Sequence, residues 1–273
     1  MFQLLFTNFI KPFVSVGRLR LPTYGIMMVL AFIIAGIVFY LLAPRAGLPR
    51  ADAFNLLALI LVGGVLGAKV FYLFTMIPYW RAIAAGGWQA VLELLAGGGM
   101  VFYGGLLGGF MMLVGYLRKY QLPFLPTLDV AAVALPVGHA IGRLGCFSVG
   151  CCYGIPSKHG ILMPHSLFAP RDVPLVPTQL IESAFCLLLA VVLYLILRRG
   201  TRPGLVTEFY LLAYSIFRFV IEFWRGDVLR GFIGPFSLSQ WISVVIVLVV
   251  VLYQIMASRR GEKSGKTESI NPK

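Results

Sequence analysis

Apolar residues along this chain gather in long runs. Short alternations with a period of two are few. A helix needs roughly 20 mostly apolar residues to cross a bilayer. Seven stretches meet that need: 24–43, 53–76, 100–117, 130–147, 179–197, 205–224 and 238–257. The pattern predicts an all-α, polytopic integral membrane protein with about seven transmembrane helices. Residues 1–260 form a single membrane domain in this reading. Residues 1–21 are expected to lie along a membrane surface, with Phe2, Leu5, Phe6 and Phe9 on the apolar side. They do not read as a cleavable signal peptide, because no small-residue cleavage site precedes Tyr24. Residues 78–99 carry Trp80, Trp88 and Glu93, an interfacial composition. Residues 149–178 hold five prolines and are expected to be an ordered outer loop. Residues 261–273 are expected to be a disordered basic tail. No internal repeat is evident.

Composition agrees with this and adds a problem. Apolar residues make up 59% of the chain, charged residues only 12%, and the mean hydropathy is +0.90. A soluble domain has about 25% charged residues. Yet the net charge is +13. Nucleic-acid binding would explain the charge but not the apolar bulk, so no nucleic-acid partner is expected. Disorder is excluded by the same numbers. The 4 cysteines are too few for a disulfide scaffold. Arg45, Arg50, Arg118, Lys119, Arg198, Arg199, Arg202 and the tail fall on one side of the spans, which favours N-out, C-in.

Lys69, Arg143 and Arg218 remain, all within expected spans. An ionisable side chain at the bilayer centre costs at least ~2.5 kcal/mol and marks a functional site by default. Arg218, Glu222 and Arg225 are spaced i, i+4 and i+7 and share one helical stripe. Glu222 can pair with either arginine, which leaves the other for an anion. Arg143 has no carboxylate within a helical turn. Glu182 and Glu208 stand near the starts of the fifth and sixth spans. Together these predict a cationic cavity. Arginine binds phosphate bidentately and keeps its charge, so a phospholipid head group is the expected anion. Gly63, Gly64 and Gly67 read as close helix packing. Gly97–Gly99 followed by Gly104 and Gly105 reads as a re-entrant or substrate-lining turn.

Six motifs, in order along nearly the whole chain, resemble the prolipoprotein diacylglyceryl transferase family. They are Tyr24-Gly25; Gly67-Ala68-Lys69-Val70-Phe71-Tyr72; G-G-M-V-F-Y-G-G-L-L-G over 98–108; G-R-L-G-C-F-S-V-G-C-C-Y-G over 142–154; P-T-Q-L-I-E over 177–182; and F-R-F-V-I-E-F-W-R-G-D over 217–227. The resemblance implies a multi-pass enzyme of the bacterial cytoplasmic (inner) membrane that needs no cofactor. Such an enzyme moves a diacylglyceryl group from phosphatidylglycerol to the lipobox cysteine of a preprolipoprotein signal peptide. A thioether forms and glycerol phosphate leaves. By position, Arg143 and Arg225 would hold the phosphate or stabilise the departing anion. Arg218 and Glu222 would orient Arg225. Tyr24, Lys69, Gly104, Gly105, Gly142, Gly145, Gly154 and Glu182 would line the substrates and surrounding membrane lipids.

The signature also departs from the family. Tyr103 stands where the family has a histidine proposed as general base. Cys146, Val149 and Cys151 replace asparagine, asparagine and glutamate. An ordinary tyrosine has a pKa of about 10 against about 6.5 for histidine, so Tyr103 is a catalytic candidate by position and a poor base by chemistry. His139, one turn before Arg143, is the other candidate base. Cys146, Cys151 and Cys152 form C-x4-C-C. They are candidates for a disulfide, for a thiolate activated by nearby cations, or for plain packing. Metal binding is a further option that would want His159 or His165 as additional ligands, but the spacing matches no standard zinc pattern, so no metal is assigned. These departures leave a second reading open: the same fold with another lipid or acceptor, thiol-based chemistry, or lipid binding without transfer.

Overall fold

The computed structural model describes residues 10–97, 99–227 and 231–270. Phe2, Leu5, Phe6 and Phe9, the expected interfacial contacts, lie outside the described residues. The described chain opens with a hairpin of β1 (Phe13–Val16) and β2 (Leu19–Pro22), paired antiparallel from Phe13–Pro22 to Val16–Leu19. Gly17, at φ 62°, supplies the left-handed position that a two-residue hairpin turn requires. Nine helices follow among the described residues: α1 (Thr23–Leu42), α2 (Arg50–Thr75), α3 (Trp80–Ala85), α4 (Gly87–Ala96), α5 (Phe102–Lys119), α6 (Phe124–Val149), α7 (Thr178–Arg198), α8 (Leu205–Ile221) and α9 (Leu238–Ile270). Strand β3 (Pro156–Ile161) lies in the long loop, and β4 (Phe232–Ile233) pairs with β5 (Phe236–Ser237) just before α9.

The protein is mostly helical. Five segments are long and apolar enough to cross a membrane: Thr23–Ala46, Arg50–Thr75, Phe124–Val149, Thr178–Arg198 and Leu238–Ala257. Each overlaps an expected span. Large apolar side chains such as Phe32, Phe54, Leu188 and Val249 are exposed along them, as lipid-facing residues would be. The other two expected spans are also helices, but short ones: α5 has 18 residues and α8 has 17. Residues 261–270, expected as tail, continue the helix of α9, and Asn271–Lys273 lie outside the described residues.

The chain divides into two units. One contains residues 39–127. Its core is the seam between α2 and α5. An added Cβ would lie 2.3 Å from Gly104 O at Gly67, 2.4 Å from Gly67 O at Gly104, and 2.2 Å from Gly63 O at Gly108. Real side chains never come that close, so the two backbones touch directly. Small residues are the standard means to this in membranes, where the hydrophobic effect cannot drive helices together.

The other unit contains residues 1–38 and 128–273. Here α1 meets α6 at Gly138 and Gly145, where a Cβ would lie 2.9 Å from Ala35 Cβ and 2.9 Å from Met27 Cβ. Asp129 caps α8: it accepts from Gly204 N at 2.6 Å, Thr207 N at 2.9 Å and Thr207 Oγ1 at 2.7 Å. A carboxylate at a helix N-terminus meets both the orphan amides and the helix dipole. Arg202 grips Glu208 with two hydrogen bonds of 2.9 and 2.6 Å, which accounts for that intramembrane carboxylate. The loop after α6 is ordered, as expected. It closes over a small core of Ile10, Phe147, Ile161, Met163, Ala169 and Leu175.

Candidate active site

α6 and α7 carry the central charges. His139 and Arg143 are four apart on α6 and therefore share a face. Glu182 sits in the first turns of α7, only 1% exposed. Arg143 NH2 donates to Glu182 Oε1 at 2.8 Å, and Tyr214 Oη from α8 donates to the same oxygen at 2.9 Å. His139 Nε2 lies 3.3 Å from that oxygen and 3.3 Å from Arg143 Nε. These two contacts of Nε2 need opposite protonation. The nitrogen must be bare to accept from Arg143 Nε–H, and it must carry a proton to donate to Glu182. The His139 ring also meets the Tyr214 ring edge-on at 5.2 Å.

The second set is at the end of α8. Arg218 NH1 pairs with Glu222 Oε2 at 2.7 Å, one of the two pairings the spacing allowed, and Arg218 NH2 donates to Ser239 Oγ at 3.0 Å. Arg225 is past the helix, in extended backbone. Its Nε donates to Asp227 Oδ1 at 2.8 Å and its NH2 to Asp227 Oδ2 at 2.5 Å, a fork of the kind arginine makes with a carboxylate. The acidic fork holds Arg225 above the usual arginine range against the opposing effect of burial. Gly154 pairs antiparallel with Arg225, and Ile155 N bonds Trp224 O at 2.9 Å. A Cβ on Gly154 would lie 2.5 Å from Val176 O and 2.9 Å from Trp224 O, so only glycine fits. This ties the signature loop to the strand that carries Arg225.

The expectation of an uncompensated arginine is corrected by this geometry. Arg143, Arg218 and Arg225 each have a carboxylate. Glu182 is 39 positions from Arg143, beyond any local pattern. Asp227 is two positions from Arg225, a spacing that fails on a helix but works in extended chain. A guanidinium has five N–H donors, and the bonds of Arg143 to His139 and Glu182 engage two of them. Gly145 is at the packing contact between α1 and α6, where an added Cβ would lie 3.4 Å from the Tyr24 ring. An added Cβ on Gly142 would lie 3.7 Å from Met28 Sδ. Tyr24 is partly exposed.

Lys69, Tyr103, Gly104 and Gly105 belong to the other unit. Lys69 Nζ donates to Leu94 O at 2.9 Å and Gly97 O at 2.8 Å, capping the C-terminal end of α4. Gly104 and Gly105 lie in the α2–α5 seam. Tyr103 is 50% exposed. Sequence reasoning missed Tyr214, and it gave Thr178, Gln179 and Asp227 only as motif residues without a role. Tyr214 had a signal: it continues the stripe of Arg218 and Glu222 one turn back.

Comparison with known proteins decides the family. The model of the prolipoprotein diacylglyceryl transferase family matches residues 11–256. The chain belongs to that family. It is 33% identical over 233 residues to the phosphatidylglycerol–prolipoprotein diacylglyceryl transferase of Clostridium tetani, covering 85% of this chain and 91% of that one. Against transferase 2 of Clostridium perfringens the identity is 32% over 91% of this chain and 96% of the relative. Against the Geobacter sulfurreducens transferase it is 34% over 91% and 95%. Within the transferase family frame, the protein is a membrane transferase whose charged residues gather on α6, α7 and α8. The Cys152 thiol beside them is pushed down by hydrogen bonds from the Cys146 and Cys151 thiols, and further by Arg225 and Arg143.

Proposed function

We propose that this protein transfers the diacylglyceryl group of phosphatidylglycerol to the lipobox cysteine of an exported preprolipoprotein, in the bacterial inner membrane, as a seven-span protein with its N-terminus outside. The observation that carries the reading is the cluster of Arg143, His139 and Tyr214 around the buried Glu182. In the reaction the acceptor thiolate sulfur attacks the glyceryl carbon bonded to the phosphate oxygen. The C–S bond forms, the C–O bond breaks, and glycerol phosphate leaves with the electron pair. Arg143 and Arg225 hold the phosphate and meet the charge that develops on the leaving oxygen. Fixed cations in a site poor in water are most effective at that task. Glu182 and Asp227 fix the two guanidiniums in place. His139 accepts the thiol proton, with Glu182 stabilising the imidazolium. Tyr24 and Gly142 line the substrate.

The test is transfer from glycerol-labelled phosphatidylglycerol to a lipobox peptide, by purified protein in lipid vesicles. Labelled peptide and free glycerol phosphate should appear together. No transfer, under conditions where the C. tetani relative works, overturns the reading. Replacement of the family histidine by Tyr103 favours a second reading, with a different acceptor or lipid. Rescue of a strain depleted of its own transferase would dismiss it.

A further inference from the structure

Three sulfurs meet where α6 ends. The Sγ atoms of Cys146, Cys151 and Cys152 all lie within 4.8 Å of one another. Helix termination brings them together. Gly150, at φ 74°, takes the left-handed position that stops α6. The amides of Gly150 and Cys151 then turn back onto Cys146 O, at 3.0 and 3.1 Å. Cys152 is itself left-handed, at φ 59°. A residue other than glycine holds that conformation at a cost on the order of 1–3 kcal/mol, and only where its surroundings impose it. Two buried residues at the start of α7 impose it. Thr178 Oγ1 donates to Cys152 O at 2.7 Å, and Gln179 Nε2 donates to Cys151 O at 2.7 Å. Gln179 Oε1, the other half of that amide, is buried and has no hydrogen-bond partner. The transfer reaction uses none of the three thiols.

We propose that Cys146, Cys151 and Cys152 form a binding site for a thiophilic d10 metal ion of the zinc type. Three thiolates at ~2.3 Å from one ion stand roughly 3.8–4.0 Å apart. The sulfurs need to close by less than about 1 Å from their present limit. Binding takes place on the thiolates and releases to solvent whichever protons the three sulfurs still carry. Three thiolates and a divalent ion leave one negative charge, and Arg143 and Arg225 act on it favourably. The group contains no histidine among the described residues, so the fourth position is left for water. The unused Gln179 acceptor belongs to the side chain that anchors the Cys151 carbonyl.

The full-length protein in detergent, freshly reduced and freed of reductant, is titrated with Zn2+ and, separately, with Cd2+. One equivalent should bind saturably, and Cd2+ should produce thiolate-to-metal charge-transfer absorption. Zn2+ should protect Cys146, Cys151 and Cys152 from maleimide, whereas the fully buried Cys186 should not react in either state. Cys151→Ser and Cys152→Ser should each weaken binding at least about tenfold, whereas Cys186→Ser should change nothing. Three results would overturn the site. One is wild-type protein that binds no Zn2+ saturably. Another is binding that survives both Cys151→Ser and Cys152→Ser. The third is a count, in denatured protein, of two thiols restored to four by reductant, the mark of a disulfide. Should either serine variant lose monodisperse elution, thiol protection in the wild type decides alone.

Discussion

The two units hold their helices together by opposite means. In residues 39–127, α2 and α5 meet backbone to backbone through Gly63, Gly67, Gly104 and Gly108. In the other unit, α6, α7 and α8 meet through Arg143, Glu182 and Tyr214. The glycine seam gains close packing and desolvates no charge. The polar cluster takes ions out of water, a cost that apolar side chains of similar volume would avoid. Where both solutions occur in one membrane protein, the costly one is where chemistry is to be sought. Lys69 sharpens the contrast: it is a cation within a span, yet its observed work is to cap α4.

The comparison breaks first at the seam. Gly108→Leu places a side chain where even a Cβ would be 2.2 Å from Gly63 O, so the variant should give no monodisperse protein by size exclusion. Gly115→Leu, on the same helix with nothing within 4 Å, should elute normally. Equal behaviour would show that the seam is not what holds these helices.

Next in size is Arg143→Ala. Transfer should fall by at least about 10²–10³. Stability should fall as well, by roughly 3–5 kcal/mol, because Glu182 is left buried without its cation. The double variant Arg143→Ala/Glu182→Gln should regain most of the thermal stability and none of the activity. Recovery of activity would reduce the cluster to a structural clamp.

Tyr214→Phe removes one donor from a buried carboxylate and should cost about 1–3 kcal/mol in thermal unfolding. It should also lower transfer, since Glu182 then holds Arg143 less firmly. A variant as active and as stable as wild type would remove Tyr214 from the cluster. The smallest effect is expected at Arg202→Ala. That arginine is half exposed, so losing its pair with Glu208 should cost no more than about 1 kcal/mol. A larger loss would mean that this ion pair, too, lies in a low-dielectric site.

Much of this was legible in the residues. The runs near 24–43, 53–76, 130–147, 179–197 and 238–257 can satisfy their backbone in lipid only as helices. The Arg218–Glu222 pair was legible because i, i+4 neighbours meet on any helix. The β1–β2 hairpin left a signal too, in the alternation of Val14-Ser15-Val16 and Leu19-Arg20-Leu21 around Gly17, but the apolar residues before it suggested a surface segment instead. Gly104 and Gly105 were ambiguous, since one glycine pattern serves both a turn and a seam. The partner of Arg143 was not legible at all.

The sequence by itself determined which long apolar segments are helical, which charges they carry into the membrane, and which family the chain resembles. Each follows from local periods, composition and motif order. Only the tertiary structure decided which carboxylate each arginine takes, and that three cysteines in C-x4-C-C share one point. Contacts between helices depend on their relative rotation and register. Those are fixed by packing at positions such as Gly138 and Gly145, and they leave no period of their own in the chain.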